Sequence, residues 1–252
     1  MVKKIYIKDE NIPTIKPNIA CIGYFDCVHI GHQDLINKTV ALSKKLGLTP
    51  TAICFNPDPS EVINKRKSKQ VLNIKDRLNL FEYFGIKQVI IIKFNNYFMS
   101  LSPNEFINKF LNKFNTKKLI CGYDFSFGKN GIGNTNTLSK NRKFETIVIK
   151  EHKYLGKKVS TSRIKDELMK GNFRLVNKLL GYEYVVSLKV EKSSKRGLNW
   201  LISARNVNKN TVILADGKYG KGFEIKDGIF YLTGKTRLQK GQIILLGFSD
   251  YE

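Results

Sequence analysis

Short apolar runs, each ending in turn residues, recur through the first half of the chain and constrain its fold more than any other feature. Four such runs occupy residues 19–23, 52–55, 89–92 and 118–121. Continuous apolar runs of this length are typical of strands buried on both faces of a parallel sheet. Between them, apolar residues recur with helical spacing at residues 34–46, 74–84 and 103–114. Strand alternating with helix predicts an α/β fold with a Rossmann-like, doubly wound parallel sheet.

The second half of the chain has a different pattern. A fifth predicted strand, residues 144–149, leads to two helical segments, residues 161–170 and 172–180, which end at Gly181. Beyond this glycine, apolar and polar residues alternate, as expected for half-buried strands, in residues 184–190, 200–204, 212–214, 228–232 and 242–246. We therefore predict two domains, an α/β domain over residues 1–183 and a small antiparallel β-barrel-like domain over residues 184–252.

The composition limits the class of protein. A formal net charge of +23 favours an anionic partner, but the lysines are dispersed among many asparagines, which favours a solvated surface over a nucleic-acid-binding face. The sequence has no leader pattern and no apolar segment of about 20 residues, so we expect a cytoplasmic protein that does not cross a membrane. The four cysteines lack a Cys-x-x-Cys spacing, which predicts reduced thiols and no metal held by the protein.

Residues 23–32, Gly-Tyr-Phe-Asp-Cys-Val-His-Ile-Gly-His, connect a predicted strand to a predicted helix. A helix N-terminus offers unpaired backbone N–H groups and a partial positive charge, and anionic phosphates bind there. His29 and His32 can add donors toward the same phosphates, and Gly31 leaves room for a nucleotide. Ordinary histidines are the alternative, but the chain has only three. Because adenylyl transfer needs positioning and charge stabilisation more than covalent chemistry, the motif predicts an enzyme of this kind.

Three further motifs follow predicted strands or open a helix. Ser160 and residues 161–165, Thr-Ser-Arg-Ile-Lys, place hydroxyls and cations at a helix start, which suits either phosphate binding or a plain helix cap. Residues 122–128, Gly-Tyr-Asp-Phe-Ser-Phe-Gly, lie where the ligand crevice of an α/β sheet is expected. Residues 55–59, Phe-Asn-Pro-Asp-Pro, form a loop stiffened by prolines at the same sheet edge.

Taken in order, the four motifs resemble those of the bacterial bifunctional riboflavin kinase/FAD synthetase family. The resemblance is to its FMN adenylyltransferase module and covers about residues 15–183. The family patterns are Gly-x-Phe-Asp-Gly-x-His-x-Gly-His, Phe-x-Pro-His-Pro, Gly-x-Asp/Asn-Phe-x-Phe-Gly and Ser-Ser-Thr-x-Ile-Arg. This chain departs from them with Cys27 for glycine, Asp58 for histidine, exchanged hydroxyl types at Thr161 and Ser162, and Lys165 for arginine.

The resemblance implies that ATP and FMN are the substrates, that Mg²⁺ accompanies ATP, and that FAD and diphosphate are the products. It implies catalytic roles for His29, His32 and Lys165. The implied ATP contacts are Gly23, Phe25, Asp26, Gly31, Asp124, Thr161, Ser162 and Arg163. The implied FMN contacts are Phe55, Phe125 and Phe127. Two alternatives stay open, a related adenylyltransferase acting on pantetheine phosphate or nicotinamide mononucleotide, and an RNA-binding relative with a vestigial site.

The C-terminal region resembles the kinase barrel of the family only in part. Residues 180–184 look like the link into the barrel, and residues 214–219 look like a later strand. The kinase signature Pro-Thr-Ala-Asn would fall on Ser203-Ala204-Arg205-Asn206, where only the asparagine is kept. The sequence also ends before the segment with the catalytic acid would be complete. We therefore expect a shortened barrel without riboflavin kinase activity, and a bifunctional enzyme is the alternative.

Overall fold

The computed structural model describes residues 2–207, 214, 217–218 and 223–248. The chain divides into two compact units: a first unit of Met1–Ser68 and Ile74–Val159, and a second unit of Lys69–Asn73 and Ser160–Glu252. The boundary at residue 183 stays a prediction. None of the helices in the described residues is long and apolar enough to cross a membrane.

The first unit is built on a six-stranded parallel sheet. Its strands are β1 Lys3–Ile7, β2 Asn18–Ile22, β3 Thr49–Phe55, β4 Gln88–Ile92, β5 Thr116–Gly122 and β6 Glu145–Ile149. They are arranged in the order β1-β4-β3-β2-β5-β6. Every residue of β2 and β4 is buried, as expected for central strands covered on both faces. Strand β1 was missed by the sequence analysis because it is a half-exposed edge strand with two lysines.

Six helices and a short hairpin complete the first unit. The helices are α1 Ile30–Leu46, α2 Pro59–Asn64, α3 Ile74–Tyr83, α4 Asn96–Ser100, α5 Pro103–Lys109 and α6 Thr135–Ser139, and the hairpin pairs β7 Lys153–Tyr154 with β8 Lys157–Lys158. Helix α1 ends at Gly47, whose φ of 64° is the left-handed conformation that glycine adopts most easily. Helix α5 is shorter than the predicted 103–114, because the chain tightens into a 3₁₀ turn at Leu111–Lys113.

The strand order places a ligand crevice at one point of the sheet. Strand β2 pairs with β3 on one side and with β5 on the other, so the chain leaves β2 in one direction and later returns on its opposite flank. In open α/β sheets, ligands bind at the carboxyl ends of the strands where this reversal occurs. The motifs at residues 23–32 and 122–128 begin there, directly after β2 and at the end of β5.

In the part of the second unit that the structure describes, there are two helices and a six-stranded antiparallel sheet. Its elements are α7 Thr161–Met169, α8 Phe173–Leu180, β9 Val185–Arg196, β10 Asn199–Asn206, β11 Gly217–Lys218, β12 Phe223–Lys226, β13 Ile229–Gly234 and β14 Ile243–Gly247. The strand order is β11-β12-β13-β10-β9-β14. Asn177 joins α8 to the sheet, donating to the carbonyl oxygen of Phe248 at 2.6 Å and accepting from the N–H of Tyr184 at 2.9 Å.

A parallel α/β sheet followed by a separate antiparallel sheet confirms the predicted fold class. The predicted strand at residues 212–214 falls on residues that, apart from Leu214, lie outside the described part of the chain. Half of the barrel-like match at residues 214–219, namely residues 215, 216 and 219, lies outside it as well.

Candidate active site

The loop between β2 and α1 is folded tightly against the core. Phe25 and Val28 have φ angles of 59° and 43°, a conformation that costs energy in residues other than glycine. The ring of Phe25 is fully buried and packs edge-on against Phe81 of α3 at 5.2 Å between centroids. Gly23 makes this possible, since a Cβ there would lie 3.2 Å from Cζ of Phe25. The packed loop thereby fixes where α1 begins.

His29 and His32 form one stacked pair at the start of α1. His29 is the N-cap residue, and its Nδ1 accepts from the backbone N–H of His32 at 3.2 Å. The two rings are nearly parallel, with centroids 3.8 Å apart and an interplanar angle of 8°. Phe25 packs edge-on against His32 at 5.1 Å. Since the first turn of α1 has no acidic residue, the positive end of the helix is left for an external anion.

Burial sets the charge of this pair. It lowers the pKa of His29 to about 4 and the pKa of His32 well below its ordinary value, because an imidazolium loses its hydration inside the protein. Both rings are therefore neutral at pH 7. Because Nδ1 of His29 accepts a hydrogen bond, Nε2 carries the proton and can donate it to a phosphate oxygen.

The third histidine of the chain lies beside the pair. Nδ1 of His152, in the connection from β6 to β7, is 2.6 Å from Oδ2 of Asp34 on α1. A Cβ at Gly31 would lie 3.3 Å from Nδ1 of His29 and 3.4 Å from Cβ of His152, so the glycine allows the two histidines to approach. The sequence analysis missed His152, because it belongs to none of the motifs and 118 positions separate it from Asp34.

Asp124 forms an ion pair with Lys158, a residue that the sequence motifs did not indicate. Its Oδ2 accepts from Nζ of Lys158 at 2.6 Å, and the Lys158 ammonium lies 5.0 Å from the centroid of the Tyr123 ring. The hydrogen bond to Asp124 raises the pKa of Lys158. Both charges act on His29, whose pKa Asp124 raises and Lys158 lowers. The crevice beyond β5 therefore carries a fixed cation next to the predicted carboxylate.

Arg77 of α3 joins the loops that follow β2 and β3. It is fully buried, and its Nη1 donates to the carbonyl oxygens of Tyr24 at 2.8 Å and Phe55 at 3.2 Å. Its guanidinium lies 4.9 Å from the centroid of the Tyr24 ring. Sequence patterns did not indicate this role, because a charged residue within a helix is normally exposed. Arg77 positions the site and does not line it.

The predicted flavin contacts differ in exposure. Phe55 and Phe127 belong to the core and are 8% and 7% exposed. Phe125 is only partly buried, and its ring stacks on that of Phe127 at 5.7 Å. Phe125 is thus the predicted flavin contact with the most surface left for a ligand. Asp26, a predicted ATP contact, is buried. The ligand contacts of all these residues stay predictions.

The fourth motif opens α7 in the second unit. Ser160 is the N-cap residue, and its Oγ accepts from the backbone N–H of Arg163 at 3.3 Å. Thr161, Ser162, Arg163 and Lys165 occupy the first turn and the residue after it, and none of them is fully buried. A capped helix start of this kind suits phosphate, and the roles of these four residues stay predictions.

The fold and the stacked histidines define a class of protein. A helix start that carries neutral imidazole donors, at the reversal point of a Rossmann-like sheet, suits the phosphates of a nucleotide and has the arrangement expected of a His-x-Gly-His nucleotidyltransferase. The family model for FAD synthetase matches residues 12–163. A bifunctional riboflavin kinase/FMN adenylyltransferase from Bacillus subtilis (strain 168) is 30% identical over 230 residues, 89% of this chain and 72% of that protein.

The chain belongs to the FAD synthetase family, which confirms the predicted family and the predicted enzyme class, a nucleotidyltransferase. A FAD synthetase from Listeria monocytogenes is 26% identical over 239 residues, 90% of this chain and 91% of that protein. A bifunctional riboflavin kinase/FMN adenylyltransferase from the same organism is 27% identical over 231 residues, 89% of this chain and 71% of that protein.

A solved structure shares the fold. The crystal structure of a macrolide-efflux protein from Streptococcus pneumoniae matches with a TM-score of 0.83, covering 97% of this chain and 89% of its own. Its sequence identity is 20%, so the likeness shows the fold alone.

Proposed function

We propose that this protein is a FAD synthetase that transfers AMP from ATP to FMN and that it does not phosphorylate riboflavin. The observation that carries the transfer is the neutral, stacked pair of His29 and His32 at the N-terminus of α1, at the reversal point of the sheet. Membership of the FAD synthetase family supports FMN as the acceptor.

Transfer of AMP from ATP to FMN needs no covalent bond between the protein and its substrates. A phosphate oxygen of FMN attacks the α-phosphorus of ATP, the bond from that phosphorus to the bridging oxygen breaks, and diphosphate leaves. The backbone N–H groups of α1 and Nε2 of His29 donate to the phosphates as charge develops on them. His152, held by Asp34, supplies a further imidazole beside Gly31. The roles of Lys165 and Arg163 on α7, which the family resemblance implies, stay predictions.

The residues of the first unit fit a magnesium ion that is carried by the nucleotide. Mg²⁺ prefers oxygen ligands, keeps several waters and is usually bound through one or two carboxylates plus substrate phosphates. Asp124, an exposed carboxylate beyond β5, meets this need. Among the described residues, no group of three carboxylates forms a dedicated cage. When bound, Mg²⁺ neutralises charge on the phosphates.

Strand β10 supports the absence of kinase activity. The predicted kinase signature falls on residues 203–206 of β10. Residues 203–205 pair with both β9 and β13, and Asn206 pairs with β9. Ala204, at the position of the signature threonine, is fully buried and has no hydroxyl to offer a magnesium nucleotide. Arg205 donates from Nε to Oε1 of Glu191 at 2.8 Å. This segment is a paired strand in which the signature asparagine is kept as Asn206 and the signature threonine is missing.

The experiment is a comparison of acceptors with the purified protein, ATP and Mg²⁺. FMN, pantetheine phosphate, nicotinamide mononucleotide and riboflavin are supplied separately, and products are separated by chromatography. We expect FAD and diphosphate from FMN and no product from the other three. Absence of FAD from FMN rejects the proposed acceptor. Tight RNA binding that weakens steeply with salt, together with no turnover, would favour the RNA-binding alternative.

A further inference from the structure

Cys27, His29 and His32 bring one sulfur and two imidazole nitrogens together at the start of α1. Their potential ligand atoms all lie within 4.8 Å of one another. In a tetrahedral site with Zn–N bonds of about 2.0–2.1 Å and a Zn–S bond of about 2.3 Å, ligand atoms lie about 3.3 to 3.6 Å apart. The rings of His29 and His32 are stacked and nearly parallel, so ligation requires their side chains to rotate until both ring planes point at the ion.

The donor atoms are in a suitable state. Cys27 is buried and forms no disulfide. Nδ1 of His32 is buried and has no hydrogen-bond partner among the residues that the structure describes. The lone pair on Nδ1 of His29 accepts the capping hydrogen bond from the backbone of His32, and an ion bound at this atom would take the place of that bond. Neutral imidazoles and a thiol that can lose its proton are the forms that precede metal ligation.

The donor set selects the class of ion. One sulfur and two nitrogens suit Zn²⁺, Co²⁺ and similar borderline or soft cations, whereas Mg²⁺ takes oxygen ligands. Three protein ligands also leave a fourth tetrahedral position open, as in catalytic zinc sites. The sulfur is specific to this chain's motif, because Cys27 stands where the resembled family pattern has glycine.

We propose that Cys27, His29 and His32 form a binding site for Zn²⁺ or a chemically similar divalent cation, and that an ion bound there competes with ATP. On binding, the Cys27 thiol releases its proton to solvent, and the thiolate and the two imidazoles become ligands. The competition rests on the proposed function, because it requires both histidines to contact the phosphates of ATP. The binding itself does not.

Cobalt is the probe for the site, since a thiolate bound to Co²⁺ gives a charge-transfer band in the near ultraviolet. The full-length protein is titrated with Co²⁺ and then with Zn²⁺, in the presence of Mg²⁺ and a phosphine reductant. We expect the band to appear, to disappear when Zn²⁺ displaces Co²⁺, and to be unaffected by Mg²⁺. The absence of the band in the wild-type protein overturns the proposal.

Cys27→Ser keeps the size of the side chain and removes the sulfur. We expect it to abolish the band and to weaken Zn²⁺ binding at least about 10- to 100-fold, as measured by calorimetry. Cys54→Ser is the matched control, because Cys54 is a buried cysteine outside the cluster, and it should keep the band. Persistence of the band in Cys27→Ser overturns the proposal. Circular dichroism checks folding, and Cys27→Gly replaces Cys27→Ser if the serine variant does not fold.

Inhibition kinetics test the competition. Zn²⁺ should raise the KM for ATP in FAD synthesis without lowering kcat, and Cys27→Ser should require at least about 10-fold more Zn²⁺ for the same effect. A cobalt band without inhibition rejects the competition and leaves the site in place. A cobalt band in a protein that makes no FAD from FMN rejects the proposed function and leaves the site in place. The two failures are therefore distinguishable.

Discussion

The loop from β2 to α1 in the first unit and strand β10 in the second unit are the places where the family resemblance puts an adenylyltransferase motif and a kinase signature, and they differ in what their side chains offer. In the loop, His29 and His32 stack on each other, and Phe25 packs against His32. In β10, a buried alanine stands at the threonine position, and Arg205 is engaged with Glu191. A shared fold does not determine which chemistry a region can perform, so function has to be argued from the side chains of each site.

Substitution of His29 or His32 is expected to have the largest effect on FAD synthesis. Removing one preorganised donor to a developing charge typically costs about 10²- to 10³-fold in kcat. We expect His29→Asn and His32→Asn to lose FAD synthesis by this factor, measured with saturating ATP and FMN. Arg205→Gln is the control in the second unit, because exposed ion pairs contribute at most about 1 kcal/mol. Near wild-type rates in both histidine variants would contradict the assignment.

Low pH should destabilise the first unit selectively, because all three histidines lie there. The folded state holds the pKa of His29 at about 4, against an ordinary value of 6.5, so between these values the unfolded state binds a proton that the folded state does not. Stability therefore falls as the pH drops from about 6.5 to 4, by about 3 kcal/mol from this residue.

Hydrogen exchange followed by mass spectrometry, corrected for the intrinsic pH dependence of exchange, measures this change separately in peptides from β2–α1 and from β9–β10. We expect protection against exchange to fall at low pH in the β2–α1 peptides only, and to fall less in His29→Gln than in the wild-type protein. An equal loss in both sets, or no reduction of it in His29→Gln, would show that the buried histidine is not its source.

Substitution of Arg77 tests whether the loops after β2 and β3 depend on its buried hydrogen bonds. Arg77→Met leaves the carbonyl oxygens of Tyr24 and Phe55 without their buried donor, and an unsatisfied buried group costs about 1–3 kcal/mol. We expect the first unit to lose about 2–3 kcal/mol of unfolding free energy in a denaturant titration. Arg77→Lys, which keeps one donor group, should recover part of it. Equal stability of wild type and Arg77→Met would contradict the positioning role.

The smallest expected effect comes from adding one methyl group, either beside His29 with Gly31→Ala or in β13 with Gly234→Ala. Gly31→Ala places a Cβ 3.3 Å from the His29 ring, while the added helix propensity is worth at most about 1 kcal/mol. We expect about a 10-fold lower kcat/KM for ATP with unfolding free energy changed by less than about 1 kcal/mol. Gly234→Ala in β13, where the new Cβ makes an ordinary 3.6 Å contact with Ile202, should leave FAD synthesis unchanged. Matching activities of the two variants would argue against crowding at His29.

Local patterns allowed much of the fold to be predicted. Strands β2, β3, β4 and β5 were found because buried central strands read as continuous apolar runs, and β1 was missed because an edge strand carries lysines. His29, His32 and Asp124 were predicted as site residues because each belongs to a distinctive motif that begins where a strand ends. His152, Lys158 and Arg77 were not found, because their roles come from tertiary contacts that no local spacing encodes.

FAD synthesis without riboflavin phosphorylation is tested most directly with the purified protein, ATP, Mg²⁺ and either FMN or riboflavin. The amounts of FMN, FAD and diphosphate are measured over time. The intact histidine pair and the altered β10 segment predict FAD from FMN, in equal amount with diphosphate, and no FMN or FAD from riboflavin. Formation of FMN or FAD from riboflavin, or failure to form FAD from FMN, would contradict the central claim.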